Sequence, residues 1–423
     1  MKIFKFGGAS VKTAEAIRNV ALILQKHQNE EIVVILSAMG KMTNALEEVV
    51  DARFYNESVV QEKLNVVINY HKNVIKELFP DSTATIYKTI AECFEKITTQ
   101  LKTVTDLDYH KAYDQIVPYG EIISTKILSE YLNTLNLANQ WTDATKCIVC
   151  DNSYREARVN WEETTKRITK EWQEKMDGKA ILVSQGFIAS SAEGNMISLG
   201  REGSDFSAAI FAYALDATEV VVWKDVPGLL NADPKYFPNT QKLDSISYNE
   251  AIELAYYGAT VIHPKTIKPL ENKQIPLQIR SFLETEKEGS FIQANVTSDN
   301  NIPSYIFKKN QILLSITTKD FSFVAEKNLH DIFGLLAKHK IRVNLMQNSA
   351  ISFSVCVDNK KYKLEKFIQD LHKDFVVKYN EGLELITIRH YNENIIRQMI
   401  ADKQLFIEQR SRTTVQFVLG NSE

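Results

Sequence analysis

Cysteine is scarce: four residues in 423, at positions 93, 147, 150 and 356. That is too few for a disulfide framework. Cys147 and Cys150 form one C-x-x-C, but zinc would want a second pair, and Cys93 and Cys356 stand far away. The pair reads instead as a β-strand carrying two thiols. Eight histidines show no H-x-x-x-H spacing, so a histidine metal centre has no support. Neither sign of charge dominates: 50 Lys and Arg against 53 Asp and Glu leave −3. A general nucleic-acid binder is therefore not expected. No window offers the roughly 18 uncharged apolar residues of a membrane-spanning helix. The first eight residues reach Gly7-Gly8 before any signal-peptide core could form. These absences predict a soluble, cytoplasmic protein with no membrane and no nucleic-acid partner.

Proline is missing from the whole C-terminal part: all nine prolines lie at or before Pro303. Such a step suggests a boundary, and residues 284–290 and 297–301 supply polar turns just before it. Hydrophobic residues at 44% and charged residues at 24% are those of a globular chain, long enough for two or three domains.

The first 290 residues read as α/β. A strand over 2–6, a helix over about 13–28 and a buried strand over 32–36 make one βαβ unit of a mainly parallel sheet. Residues 44–112, charged and poor in Gly and Pro, predict a helical insertion. A strand over 180–183, a helix over 204–215 and a strand over 219–223 resume the sheet. The tail reads differently. Strand 312–317, helix 329–338, strands 342–346 and 351–357, helix 364–372 and strand 375–379 form a split β-α-β-β-α-β set, an α+β arrangement. Segments 383–390, 393–401, 405–410 and 413–419 predict β-α-β-β, most of a second copy. The expected domains are 1–290, 305–381 and an incomplete 382–423.

Three stretches combine glycine and charge at strand ends. In Lys5-Phe-Gly-Gly-Ala-Ser10, Gly7 and Gly8 would let backbone N–H groups approach a phosphate, and Lys5 would neutralise a phosphoryl group. An ordinary βα turn reads the same way. In Leu199-Gly-Arg-Glu-Gly-Ser-Asp205, Ser204 or Asp205 could simply cap a helix, whereas Arg201 offers a planar fork to a carboxylate or phosphate. Trp223-Lys-Asp-Val-Pro-Gly-Leu-Leu-Asn-Ala-Asp-Pro-Lys235 marks a loop at the C-terminal edge of a sheet, where open α/β folds bind ligands. Lys224, Asp225 and Lys235 could serve a nucleotide there.

Together these stretches resemble the amino-acid kinase family, and its aspartate kinases most closely. The family's K-F-G-G-T-S is Lys5–Ser10 here, and S-A-x-G-x-T-N is Ser37-Ala-Met-Gly-Lys-Met-Thr-Asn44. G-E-x-x-S-T is Gly120-Glu-Ile-Ile-Ser-Thr125, and L-G-R-G-G-S-D is 199–205. W-T-D-V-x-G-(x)4-D-P corresponds to 223–234, and E-A-x-E-L-A-x-x-G-A-x-V-x-H-P to 250–264. The tail resembles the family's paired ACT regulatory domains. The resemblance implies phosphorylation of the side-chain carboxylate of L-aspartate by ATP with Mg2+, the first step of lysine, threonine and methionine biosynthesis. It implies Lys5 on the transferring phosphoryl group, held by Asp205, with Arg201 on the substrate α-carboxylate and Glu121 on its ammonium. Ser37, Thr43 and Ser204 would add neutral hydrogen bonds, and Gly7, Gly8, Lys224, Asp225 and Lys235 would bind ATP. Magnesium would arrive with ATP, with no metal site from protein alone. A homodimer through the ACT-like region is also implied. With no G-x-G-x-x-G unit after the tail, a fused dehydrogenase is not expected.

Several positions depart from the family pattern: Ala9 for threonine, Glu202 for glycine, Met196-Ile-Ser198 where threonines are usual, Thr145 for arginine and Thr260 for a nucleotide-side lysine. Glu202 is the most awkward, since it sets negative charge beside Arg201. In the tail, Asn344 stands where lysine-inhibited relatives carry an aspartate that can meet an effector ammonium; Asn348 and Ser349 complete that candidate effector site. Weak or absent inhibition by L-lysine is expected. The alternatives are another amino-acid kinase, or an ACT-containing amino-acid sensor without catalysis. Gly120-Glu121 and the paired tail argue against the first, and Lys5, Arg201 and Asp205 against the second.

Overall fold

The computed structural model describes residues 1–104, 108–176, 181–259, 262–294, 296, 302–320 and 322–421. The chain divides into two compact units. The first comprises Met1–Leu229, Lys242–Ile252 and Val261–Val296, and the second Leu230–Gln241, Glu253–Thr260 and Thr297–Glu423. A single cut near residue 290 is therefore not what the fold shows. Segments 230–241 and 253–260 go with the tail because their side chains pack there, as Phe237 does on Tyr305 and Glu253 on Arg389. Thr260 itself lies outside the described residues.

The first unit is α/β. Its main sheet contains β1 (Lys2–Phe6), β2 (Ile32–Leu36), β3 (Asn139–Trp141), β4 (Ile181–Gln185), β5 (Glu219–Lys224), β6 (Ser245–Ser247), β7 (Leu277–Ser281) and β8 (Ser290–Gln293). Their order is β6-β8-β7-β5-β1-β2-β4-β3, with every pair parallel except β7 with β8. Continuous apolar runs explain the centre: every residue of β2 is buried, as sheets covered by helices on both faces require. Phe4, Phe6 and Trp223 pack together there, with the last two stacked at 5.9 Å. Helix α1 (Ala14–Lys26) returns the chain from β1 to β2, capped by the Thr13 side chain on Ala16 N–H.

The expected helical insertion is present as α2 (Met42–Tyr55), α3 (Val60–Leu78), α4 (Thr85–Thr103) and α5 (Tyr109–Ile116), continuing into α6 (Tyr119–Thr134). In α4 the buried residues Ile86, Ile90, Cys93, Phe94, Ile97 and Leu101 recur at helical spacing, giving one apolar stripe. The C-x-x-C expectation needs correction. Cys147 ends a short helix, Ala144–Cys147, and only Cys150 lies on a strand, Val149–Cys150. Both are free and buried, and burial pushes both thiols up to about 12, which leaves them protonated and unreactive.

The second unit is α+β. Strands β9 (Ser304–Thr318), β10 (Val343–Asn348), β11 (Ser352–Asp358), β12 (Phe375–Arg389), β13 (Lys403–Arg410) and β14 (Thr414–Asn421) form one sheet in the order β10-β11-β9-β12-β14-β13. Its helices include α7 (Glu326–Lys338), α8 (Lys361–Leu371) and α9 (Glu393–Ile400). Strands expected over 375–379 and 383–390 are one strand, β12, carried past Gly382 at φ 70. Strand β9 likewise begins at Ser304, earlier than the apolar run 312–317 suggests. Residues Ser304–Lys308 pair antiparallel with Leu385–Arg389. That places them where the second copy's fourth strand belongs, so the copy is completed by chain preceding the first copy rather than left open at 382–423.

Candidate active site

The chemistry-bearing side chains of the first unit gather at the C-terminal ends of its central parallel strands, β1 flanked by β2 and β5. Lys5 is the penultimate residue of β1, and its ammonium stands 2.5 Å from Asp205 Oδ1, with both side chains almost fully buried. Asp205 comes from the first turn of the helix Gly203–Ala214, where the helix end favours a negative charge. Lys224, the last residue of β5, approaches the other Asp205 oxygen at 3.9 Å. Burial works to raise the Asp205 pKa, but the charges of Lys5 and Lys224 outweigh it and hold the carboxyl below its ordinary value. Burial and the neighbouring Lys5 ammonium together lower the pKa of Lys224, against the pull of Asp205.

On the β2 side, the loop after Leu36 meets α6. Ala38 N–H donates to Glu121 Oε1 at 3.2 Å, and the Thr43 hydroxyl reaches the same oxygen at 3.5 Å. Glu121 Oε2 is buried with no hydrogen-bond partner among the described residues. Burial pushes the Glu121 pKa up to about 8, opposed by the Ala38 N–H, the Thr43 hydroxyl and the Lys5 charge. A buried carboxylate with one bare oxygen is built for a cationic partner. Gly120 permits the packing, since a β-carbon there would stand 2.9 Å from Ala38 Cβ. Ser37 is half-buried, its N–H donating to Phe6 O at 3.1 Å, which ties the two strand ends together.

Gly7 lies beside the ammonium: a β-carbon there would stand 3.5 Å from Lys5 Nζ. Gly8 has a different constraint, because its β-carbon would meet Gly40 O at 2.7 Å and Ala38 O at 2.9 Å. Ser204 is buried against Gly186, where a β-carbon would lie 2.5 Å from Ser204 Cβ. Arg201 is exposed, and among the described residues nothing pairs with its guanidinium. Asp225 is exposed as well. Lys235 is exposed and belongs to the second unit. The structure thus groups Lys5, Asp205, Lys224, Glu121 and Thr43, and leaves Arg201 and Asp225 at the surface of the same unit.

Two departures acquire a structural role. Glu202 has left-handed backbone, φ 56, which explains why glycine suits this position, and one of its carboxylate oxygens is buried without a partner among the described residues. It does not simply point to solvent, because its charge also acts on Lys224. Ser198 donates to Asp114 Oδ1 at 2.5 Å, and Asp114 Oδ2 accepts the Arg155 N–H at 3.0 Å. Arg155 O in turn lies where a β-carbon on Gly200 would come, at 2.5 Å. Asp114 and Arg155 therefore prop the turn that carries Arg201. Sequence reading missed both, since a lone Asp in an amphipathic helix gives no signal.

In the second unit, Asn344 spends its whole amide inside the sheet. Its NH2 donates to Gln311 Oε1 and Asp358 Oδ1, both at 2.8 Å, and its oxygen accepts from Lys308 Nζ at 2.8 Å. Asn348 is exposed at the end of β10, and the Ser349 hydroxyl lies 2.8 Å from that of Ser352 across the turn.

Among known proteins, the model of the amino acid kinase family matches residues 1–281. Aspartokinase 1, chloroplastic, of Arabidopsis thaliana is 28% identical, over 91% of this chain and 70% of its own length. Lysine-sensitive aspartokinase 3 of Escherichia coli is also 28% identical, over 91% of this chain and 86% of its own. The solved structure of E. coli aspartokinase III in complex with aspartate and ADP superposes with a TM-score of 0.82 at 25% identity, covering 99% of this chain and 96% of that one.

Proposed function

The chain belongs to the amino acid kinase family, and from that membership we propose its reaction: it is an aspartate kinase, transferring the γ-phosphate of ATP to the side-chain carboxylate of L-aspartate. The observation that carries the mechanism is the buried Lys5–Asp205 pair at the end of the central strand. An aspartate side chain, with a reference pKa near 3.9, is already ionised at neutral pH. It attacks the γ-phosphorus directly: one carboxylate O–P bond forms, the bond to the ADP oxygen breaks, and no proton needs removing. The products are ADP and 4-phospho-L-aspartate. What the protein must supply is position and charge.

Lys5 meets the negative charge on the transferring phosphoryl oxygens, and Asp205 holds that lysine in place. Glu121 takes the substrate ammonium on its bare oxygen, and Arg201 takes the α-carboxylate from the turn propped by Arg155. Thr43, Ser37 and Ser204 add neutral hydrogen bonds. Gly7, Gly8, Lys224, Asp225 and Lys235 are assigned to ATP. Magnesium is proposed to come with the nucleotide. Asp205, the buried carboxylate nearest the phosphate side, is already engaged by two lysines, which fits an ion carried by phosphates rather than by a protein cage. Catalysis is assigned to the first unit and regulation to the sheet of the second, with the fourth strand of the second copy supplied by 304–308. A homodimer through the second unit is proposed from its edge strand β10, where Met346 is 50% exposed, and from the turn after it, where Ile351 is 49% exposed. A cytoplasmic location is proposed from the metabolites consumed.

Lys5→Ala tests the mechanism. The expected result is a kcat lower by roughly 100- to 1,000-fold, the usual worth of one preorganised charge, with the aspartate KM changed only a few-fold. A loss of kcat below about tenfold would remove Lys5 from this role.

A further inference from the structure

Four charged side chains of the first unit gather where β1 and β5 end against the helix Gly203–Ala214. Lys5 and Lys224 share one carboxylate, Asp205, at 2.5 and 3.9 Å. The fourth is Glu202, just before that helix. The N–H groups of Asp205 and Phe206 donate to its carbonyl at 3.1 and 3.2 Å, which fixes its backbone at the helix entrance. Its side chain makes no cap to the helix, and Oε2 is buried with no hydrogen-bond partner among the described residues. Glu202 lies about one turn from Asp205, and its charge reaches Lys224.

Counting charges explains the arrangement. One carboxylate cannot balance two ammonium groups taken out of water. Burial works to strip the proton from Lys224 and the Lys5 charge adds to that, while Asp205 opposes them, with Glu202 and Asp225 behind it. Asp225 is exposed, whereas one oxygen of Glu202 is buried, so Glu202 is the less screened of these two anions. Lys224 is the more open of the two lysines, its side chain 24% exposed against 9% for Lys5, so it fronts the side from which a ligand arrives. In the kinase pattern positions 202 and 224 are glycine and threonine, and this chain therefore adds one charge of each sign at the same place. Left-handed backbone at φ 56 costs a glutamate what it would not cost glycine, and a carboxylate with a charge to balance is a reason to keep it.

We propose that Lys224 is a second cation for the transferring phosphoryl group and that Glu202 is its positioning residue, balancing it beside Asp205. The proposal rests on the assignment of Lys224 to ATP made above, and adds to it a partner and a place on the nucleotide. Seen from a distance the Glu202–Lys224 pair is neutral, and at contact it presents an ammonium. Its attraction is thus concentrated where phosphoryl charge develops rather than spent on anions in general. Without Lys224, Glu202 would face the phosphates as an uncompensated negative charge.

The test uses the full chain. Binding of the non-hydrolysable ATP analogue AMP-PNP with Mg2+ is measured by calorimetry, alongside kcat at saturating substrates, for Lys224→Thr, Glu202→Gly, Glu202→Gln and the Glu202→Gly, Lys224→Thr double variant. Lys224→Thr is expected to bind the analogue about tenfold more weakly and to lower kcat by about tenfold, since it removes a cation and leaves Glu202 facing the phosphates. Glu202→Gly and Glu202→Gln should bind it within about threefold of the parent yet lose kcat alike, by about three- to tenfold, because both remove the charge and only one relieves the backbone. The double variant should recover about fivefold in analogue affinity over Lys224→Thr while its kcat stays low. If the double variant binds no better than Lys224→Thr, or if neither Glu202 variant loses kcat, Glu202 does not serve Lys224 and the proposal is overturned. Lys224→Thr that binds the analogue and turns over like the parent takes Lys224 away from the phosphates, and the proposal falls with it. Failure of the kinase reading looks different: the parent itself would release no ADP in response to aspartate. Should Lys224→Thr fail to fold, as judged by its thermal melt, Lys224→Gln carries the same comparison.

Discussion

Glu121 carries opposing demands within one side chain. Pairing with the substrate ammonium needs the ionised form, yet burial raises its pKa to about 8. The group is thus mostly neutral below that pH and charged above it. Aspartate affinity should therefore rise with pH up to about 8, and binding at lower pH should release a proton from Glu121. From pH 7 to pH 9 the aspartate KM is expected to fall roughly five- to tenfold, while the ATP KM moves little. Glu121→Gln should bind aspartate poorly and flatten this profile. Steady-state kinetics across that range check it, and a flat parent profile would refute the assignment. Lys5 and Asp205 were legible as candidates because each sits in a motif. The bare oxygen of Glu121 was not, because it depends on how tightly α6 meets the Ser37–Gly40 loop.

Elements impose a different constraint at Gly8. Its neighbours at 2.7 and 2.9 Å are backbone carbonyls, so Gly8→Ala cannot be relieved by turning a side chain. It should cost about 1–3 kcal/mol and shift the end of β1 that carries Lys5, lowering both Tm and kcat. A thermal melt and an assay at saturating substrates read the two effects, and an unchanged Tm would contradict the packing argument. In the second unit, Asn344 is engaged by Lys308, Gln311 and Asp358. An added lysine ammonium would have to displace Lys308 and then meet a neutral amide, forfeiting roughly 1–2 kcal/mol against a charge-assisted bond. Titration with L-lysine should give weak or no inhibition, and half-inhibition at sub-millimolar lysine would contradict this. The apolar run 312–317 showed only the half of β9 that is rich in aliphatic residues. Its earlier half, Ser304–Lys308, is a short run around Tyr305, Ile306 and Phe307, and its strand character comes from pairing with Leu385–Arg389 far along the chain.

At the scale of the whole molecule, order along the chain carried most of what sequence could tell. The α/β class, the helical insertion and the tandem α+β tail follow from local periodicity, and the motifs fell at the strand ends where such sheets bind ligands. What sequence could not show was assembly across distance: the return of segments 230–241 and 253–260 to the second unit, and the use of Asp114 and Arg155 to prop the Arg201 turn. Phosphoryl transfer to one particular carboxylate leaves an acyl phosphate, which hydroxylamine traps as a hydroxamate. The purified chain is incubated with MgATP, hydroxylamine and either L-aspartate or L-glutamate, and ADP and hydroxamate are quantified together. Hydroxamate should equal ADP with aspartate, and little of either should form with glutamate. ADP release that ignores aspartate, or hydroxamate formed equally well from glutamate, would contradict it.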